Sequence, residues 1–140
     1  MSDELDRVAK IIVDTAFHIH EDLGPGLLEA AYESILFEKL KRRGLGVDRQ
    51  LPINVEYDGV KLENAFKIDL LVEKSIVVEL KATENSSPVH ARQVLTYLKL
   101  MNMRLGFLIN FGAPTFKDGI KRLINNPTDL VSWRLGASKN

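Results

Sequence analysis

Apolar residues set the rhythm of the chain. Val8, Ile11, Ile12, Thr15, Ala16, Ile19 and Leu23 recur at helical spacing and predict a helix over residues 3–23, stopped by Gly24-Pro25-Gly26. A second helix is expected over 27–43, with Leu28, Ala31, Ile35, Leu36 and Leu40 inward. Lys41, Arg42 and Arg43 suit its negative end, and Gly44 closes it. The period then changes. Residues 50–57 alternate as a strand, Asp58-Gly59 predicts a tight hairpin turn, and 60–62 form a short return. Residues 66–72 and 76–82 make two further strands around a Glu73-Lys74-Ser75 turn. Ser86 or Ser87 caps a third helix, with Pro88 in its first turn and Ala91, Val94, Leu95, Leu98 and Met101 inward. The unbroken apolar run 105–111 predicts a strand buried on both faces. Gly112 to Pro114 ends it, and 120–124 form a last short element. Residues 1–124 thus read as a single domain. Residues 125–140 read as a loosely held tail, in which Trp133 either packs back on the core or marks a partner surface.

The hairpin around residues 73–75 concentrates the chemistry. If those three residues form the loop, Val72 faces Ile76, and counting back sets Asp69 opposite Glu79. Lys81 follows two residues later on the same face. Ile68, Leu70, Val72, Ile76, Val78 and Leu80 then form the apolar face. Two directly opposed carboxylates repel, and a one-residue slip would separate them, so the arrangement depends on the turn. Such a pair needs a compensating cation. Lys81 supplies one charge, whereas a divalent ion supplies two and suits an all-oxygen donor set. An ordinary ion pair on a solvated face is the other reading of the same spacing. Taken alone, Glu29 is a first-turn acid stabilised by the helix dipole. Gln93 and Tyr97, one turn apart, are the edge of an amphipathic helix.

Other residues are less informative. His18 and His20 lie two apart on the first helix and point away from each other, with one or both expected at the surface. His90 is expected to be exposed. Ser86 and Ser87 are caps rather than nucleophiles, because no Asp–His arrangement supports them. Composition bounds the function. The chain has 140 residues, 45% apolar, a formal net charge of zero and no cysteine. Disulfides, thiolate zinc sites and cysteine nucleophiles are excluded. No apolar run nears the length of a membrane span, and the charged, acidic start is unlike a signal peptide, so a soluble cytoplasmic domain is expected. The neutral total hides an asymmetry: residues 1–85 carry a balance of −6 and residues 86–140 one of +6. Overall charge gives no support for strong nonspecific nucleic-acid binding. Arg92, Lys99, Lys117, Lys121 and Arg122 are the candidate substrate contacts.

Ile68-Asp69, nine intervening residues and Glu79-Leu80-Lys81 resemble the PD-(D/E)xK nuclease signature, with Ile68 where the signature has proline. Gly26-Leu27-Leu28-Glu29-Ala30-Ala31-Tyr32 resembles the motif of the GxxExxY family, a small branch of that superfamily. Gln93-Val94-Leu95-Thr96-Tyr97 is similar to the QxxxY motif of RecB-like nucleases. The resemblance spans about residues 8–124. It implies an α/β fold with a restriction-endonuclease-like core: a mixed central β-sheet flanked by helices in αα-βββ-α-β order. It implies that Asp69 and Glu79 hold Mg2+ or Mn2+, that the Leu80 carbonyl completes the inner set, and that Glu29 adds a ligand directly or through water. Lys81 would position and help deprotonate the attacking water, and Gln93 and Tyr97 would orient the site or touch the scissile phosphate. The implied reaction is metal-assisted phosphodiester hydrolysis. The implied partner is nucleic acid, with DNA expected, and a homodimer is one arrangement seen in such domains. The rival expectation is a non-cleaving nucleic-acid-binding or scaffold subunit that keeps the fold.

Overall fold

A computed structural model describes residues 2–126. Helix α1 (Asp3–Leu23) starts where Ser2 accepts a hydrogen bond from the Leu5 N–H at 3.1 Å. Helix α2 (Glu29–Arg42) follows, then β1 (Val47–Tyr57), β2 (Val60–Val72) and β3 (Ile76–Lys81). Helix α3 (Pro88–Met101) precedes β4 (Leu105–Asn110), a one-turn helix α4 (Phe116–Gly119) and β5 (Ile120–Ile124). Ser87 is the residue that caps α3, through the Val89 N–H. The expected α/β fold with a mixed sheet between helices is therefore the observed one. Trp133 and the rest of 127–140 lie outside the described residues.

The five strands are ordered β1-β2-β3-β4-β5. Neighbours run antiparallel except β3 and β4, which are parallel. Parallel neighbours cannot be joined by a tight turn, so α3 makes the crossover. Helices α1 and α2 cover one face. Their Val8, Ile12, Ile19, Leu36 and Leu40 pack with Leu70, Val72, Ile76, Val78 and Leu80. Helix α3 covers the other face, with Val94 and Leu98 on Ile68, Leu71, Val77 and Leu108. Every residue of β4 is buried, as its unbroken apolar run predicts. Gly106 lets α3 approach: a Cβ there would lie 3.0 Å from Val94 Cγ1.

Several boundaries differ from expectation. Helix α2 begins at Glu29, two residues late, because Gly24 and Gly26 hold positive φ and keep the preceding loop out of the helix. Leu28, expected inward, is 81% exposed, and Tyr32 takes the core position. Strand β1 starts three residues early. The separate returns at 60–62 and 66–72 are one strand, because a bulge with Asn64 at φ 49 absorbs the irregularity. Asn125 is buried: it donates its Nδ2 to the Met103 carbonyl and its N–H to the Arg104 carbonyl. His20 is buried, with Nε2 2.8 Å from the Ala113 carbonyl, and His90 is half-buried.

Ile68 corrects the assignment of faces. It lies with Leu71, Val77 and α3, not with Leu70 and α2. The cause is a break in alternation at one level of the sheet. Gln50 of β1 has φ 50, and it sits at the level of Asp69, between the paired positions Arg49↔Leu70 and Leu51↔Ile68. Val47 packs toward α1 and α2, whereas Leu51 and Ile53 pack toward α3. Both strands thus exchange faces around Gln50 and Asp69.

Candidate active site

The β2–β3 hairpin has the predicted register. Val72 pairs with Ile76, Leu71 with Val77 and Leu70 with Val78. Glu73 and Lys74 hold positive φ in the turn. Regular pairing ends there, one step before Asp69 and Glu79. Beyond it the Asp69 side chain takes over from the backbone ladder: its Oδ2 accepts the Leu80 N–H at 2.8 Å. A buried amide that leaves the ladder needs such a replacement. The contact to Asp69 is through the N–H of Leu80. Strand β3 meanwhile stays paired to β4, with Glu79 opposite Leu108 and Lys81 opposite Asn110.

Glu79 is buried, and its Oε1 has no hydrogen-bond partner. Burial pushes its carboxyl up to about 9, the neighbouring Asp69 adds to the shift, and Lys81 opposes it. Glu29, the first residue of α2, keeps much of its surface in solvent. The protein around its carboxyl still raises its pKa, the Asp69 charge adds, and Lys81 counteracts. Tyr97 of α3 stacks on Phe66 with ring centroids 4.0 Å apart and planes 1° from parallel. Burial raises its phenol, and the Glu79 and Asp69 charges raise it further. The structure therefore brings Glu29, Asp69, Glu79, Lys81 and Tyr97 into one electrostatic neighbourhood drawn from α2, β2, β3 and α3. Gln93 is exposed one turn before Tyr97. Among the described residues, no three His, Asp or Glu side chains are gathered as a set able to hold a metal ion. The convergence is a pair, Asp69 and Glu79, with Glu29 outside it.

The motif around Glu29 divides its labour. Tyr32 is fully buried and stacks on Phe111 at 4.6 Å. Its hydroxyl donates to the Gly24 carbonyl and accepts the Leu27 N–H at 3.2 Å. Tyr32 thus pins the loop that delivers Glu29, rather than sharing a helical side with Gly26. On the far side, Asn110 ties the chain leaving β3 to the turn after β4. Its Oδ1 accepts the Thr83 and Gly112 N–H groups, and its Nδ2 donates to the Thr83 carbonyl, each at 3.0 Å. A Cβ at Gly112 would fall 2.3 Å from that carbonyl oxygen, so glycine permits the contact.

Sequence reasoning missed Glu33, Arg49 and Gln50. Glu33 is buried and accepts from Arg49 Nε at 2.7 Å and from Gln50 Nε2 at 2.6 Å. Gln50 Nε2 also reaches Asp69 Oδ1 at 3.3 Å. The spacing of Glu29 and Glu33, one helical turn, was a usable signal. The left-handed backbone of Gln50 was not. Of the candidate substrate contacts, Arg122 turns toward the α1 face, 3.9 Å from Asp6. Arg92, Lys99, Lys117 and Lys121 are exposed.

Residues 6–123 match the model of the PD-(D/E)XK nuclease superfamily. The chain belongs to that superfamily. A crystal structure of a protein named SSO0001 is similar, with 23% identity and a TM-score of 0.49 over 74% of this chain and 52% of that one. The chain thus spans about half the length of that relative. No match arises among curated proteins. Superfamily membership makes this a nuclease-like domain with the sheet and helices expected of the group. No helix among the described residues is long and apolar enough to cross a membrane.

Proposed function

We propose that this domain is a cytoplasmic nuclease that hydrolyses phosphodiester bonds of DNA with Mg2+ or Mn2+ held by Asp69 and Glu79. One observation carries the reading: a buried carboxyl whose Oε1 lacks any partner lies against a second carboxylate on the adjoining strand. The donor set fits the ion. It is all oxygen, and magnesium is commonly bound by one or two carboxylates while keeping several waters. The Leu80 carbonyl would complete the inner set, and Glu29, standing apart, would act through water.

A bound divalent ion would lower the pKa of water and offset charge on the phosphate. The remaining work belongs to the chain. Asp69 is fixed by the Leu80 N–H, which donates to its Oδ2. Lys81 orients the attacking water, assists its deprotonation and stabilises negative charge gathering on the phosphate oxygens. Tyr97 stays a neutral phenol, because burial and the adjacent acids raise its pKa, and so remains a donor to a phosphate oxygen. Gln93 offers an amide from the same side of α3. In this reading Gly26, Glu29 and Tyr32 are the GxxExxY motif, and Gln93 and Tyr97 are the QxxxY motif.

The test is a cleavage panel of single-stranded, double-stranded and branched DNA, with RNA beside it, in Mg2+ or Mn2+. Lys81→Ala and Asp69→Ala, matched for folding by circular dichroism, should lose at least about a hundredfold in rate. Cleavage surviving both substitutions would refute the assignment. A second reading draws on the absence of a gathered three-carboxylate set among the described residues and on the zero net charge. In it the domain binds nucleic acid without cutting. Binding without cleavage across the whole panel would favour that reading.

A further inference from the structure

We infer that Gln50 is a positioning residue for the cation site, orienting Asp69 from the adjoining strand β1. The inference rests on the function proposed above and adds a residue to it. Gln50 lies within a strand but holds φ 50, a conformation that side chains other than glycine adopt reluctantly. Its side-chain amide has two hydrogens to donate. The structure uses the group twice: toward Glu33 Oε1 at 2.6 Å and toward Asp69 Oδ1 at 3.3 Å. Glu33 is an anchored acceptor, buried and held by Arg49 Nε at 2.7 Å. The amide therefore ties a fixed point on α2 to the carboxylate on β2.

Asp69 is held from two directions as a result. Leu80 N–H donates to Oδ2 and Gln50 Nε2 to Oδ1. Each carboxylate oxygen carries two lone pairs, so one on each remains for a cation. Donors behind a ligating carboxylate fix its orientation, and their loss typically costs 10–100-fold in metal affinity. Gln50 also separates like charges. It places a neutral donor between Glu33 and Asp69, two acids that would otherwise face each other with no hydrogen between them.

The test measures Mn2+ affinity from the free-ion signal in electron paramagnetic resonance. Gln50→Gly keeps the left-handed backbone and deletes the amide. Gln50→Asn also tolerates that backbone but is one methylene short of bridging the two acids. Each should bind Mn2+ about tenfold more weakly or worse, with the melting temperature of the metal-free protein unchanged within a few degrees. A role limited to holding β1 on α2 would lower the melting temperature and leave affinity alone. Glu79→Ala separates the two claims. Wild-type affinity in Glu79→Ala refutes the cation site itself. Loss in Glu79→Ala with wild-type affinity in either folded Gln50 variant, or unfolding of both Gln50 variants, overturns the role of Gln50.

Discussion

The two ends of the β2–β3 hairpin are built from the same strands and obey different rules. At the turn end, Leu70, Leu71 and Val72 pair in register with Val78, Val77 and Ile76, and all six are buried. Backbone bonds the backbone, and apolar side chains fill both faces. At the open end, one residue further along, a side chain replaces the ladder, and Glu79 is buried with an unpartnered oxygen. The turn end is optimised for stability. The open end keeps a buried carboxyl beside a second acid, an arrangement that costs stability whenever both are charged. Local conflict with the fold is where function is expected.

Substitutions can break this contrast. The largest effect on folding should come from the turn end: Leu70→Ala should cost about 2–5 kcal/mol by urea denaturation, because a fully buried side chain leaves a cavity. Asp69→Asn should cost far less, since its amide oxygen can still accept the Leu80 N–H, yet it should remove most Mn2+ affinity. Equal destabilisation by the two would erase the distinction between the ends.

Glu79→Gln should act in the opposite sense and stabilise the metal-free protein. The Glu79 carboxyl is raised from 4.5 to about 9 in the fold. Between those values the folded state keeps a proton that the unfolded chain has lost. The stability of the parent protein therefore falls as pH rises through that window. The gain from Glu79→Gln should grow from near zero at the acidic end to about 1–3 kcal/mol toward pH 9, on the scale of one buried, poorly compensated charge. Denaturation in chelator across this range measures it. A parent protein whose stability is flat over the same interval would contradict the buried, protonated carboxyl. The smallest effect should be Tyr32→Phe, about 1 kcal/mol, because the ring still stacks on Phe111 and only the hydroxyl bonds to the Gly24–Leu27 loop are lost. Its cation affinity should fall only if the loop also sets the position of Glu29.

Much of the site was legible because the hairpin register follows from the turn. Three loop residues make Val72 face Ile76, and counting back carries the pairing to Leu70 and Val78, with Asp69 and Glu79 one step beyond the paired ladder. The face of Ile68 was not legible. Strict alternation puts it beside Leu70, but Gln50 at φ 50 and Asp69 off the ladder exchange the faces of both strands. Nothing in the side chain of a glutamine announces a left-handed backbone. Glu33 was hidden for a related reason. Its two neighbours in the network, Arg49 and Gln50, are 16 and 17 residues away in the chain and meet it only when β1 folds against α2.

Periodicity, turn chemistry and caps determined the helices, the hairpin register at the turn and the doubly buried β4. These are local quantities, set by spacing along one chain. The tertiary structure decided how far each carboxyl is removed from water, which oxygen lacks a partner, and which distant residues hold the acids in place. Desolvation and charge coupling depend on what packs around a group in space. For that reason the same Glu79 reads as a surface ion-pair partner in the chain and as a buried carboxyl of raised pKa in the fold.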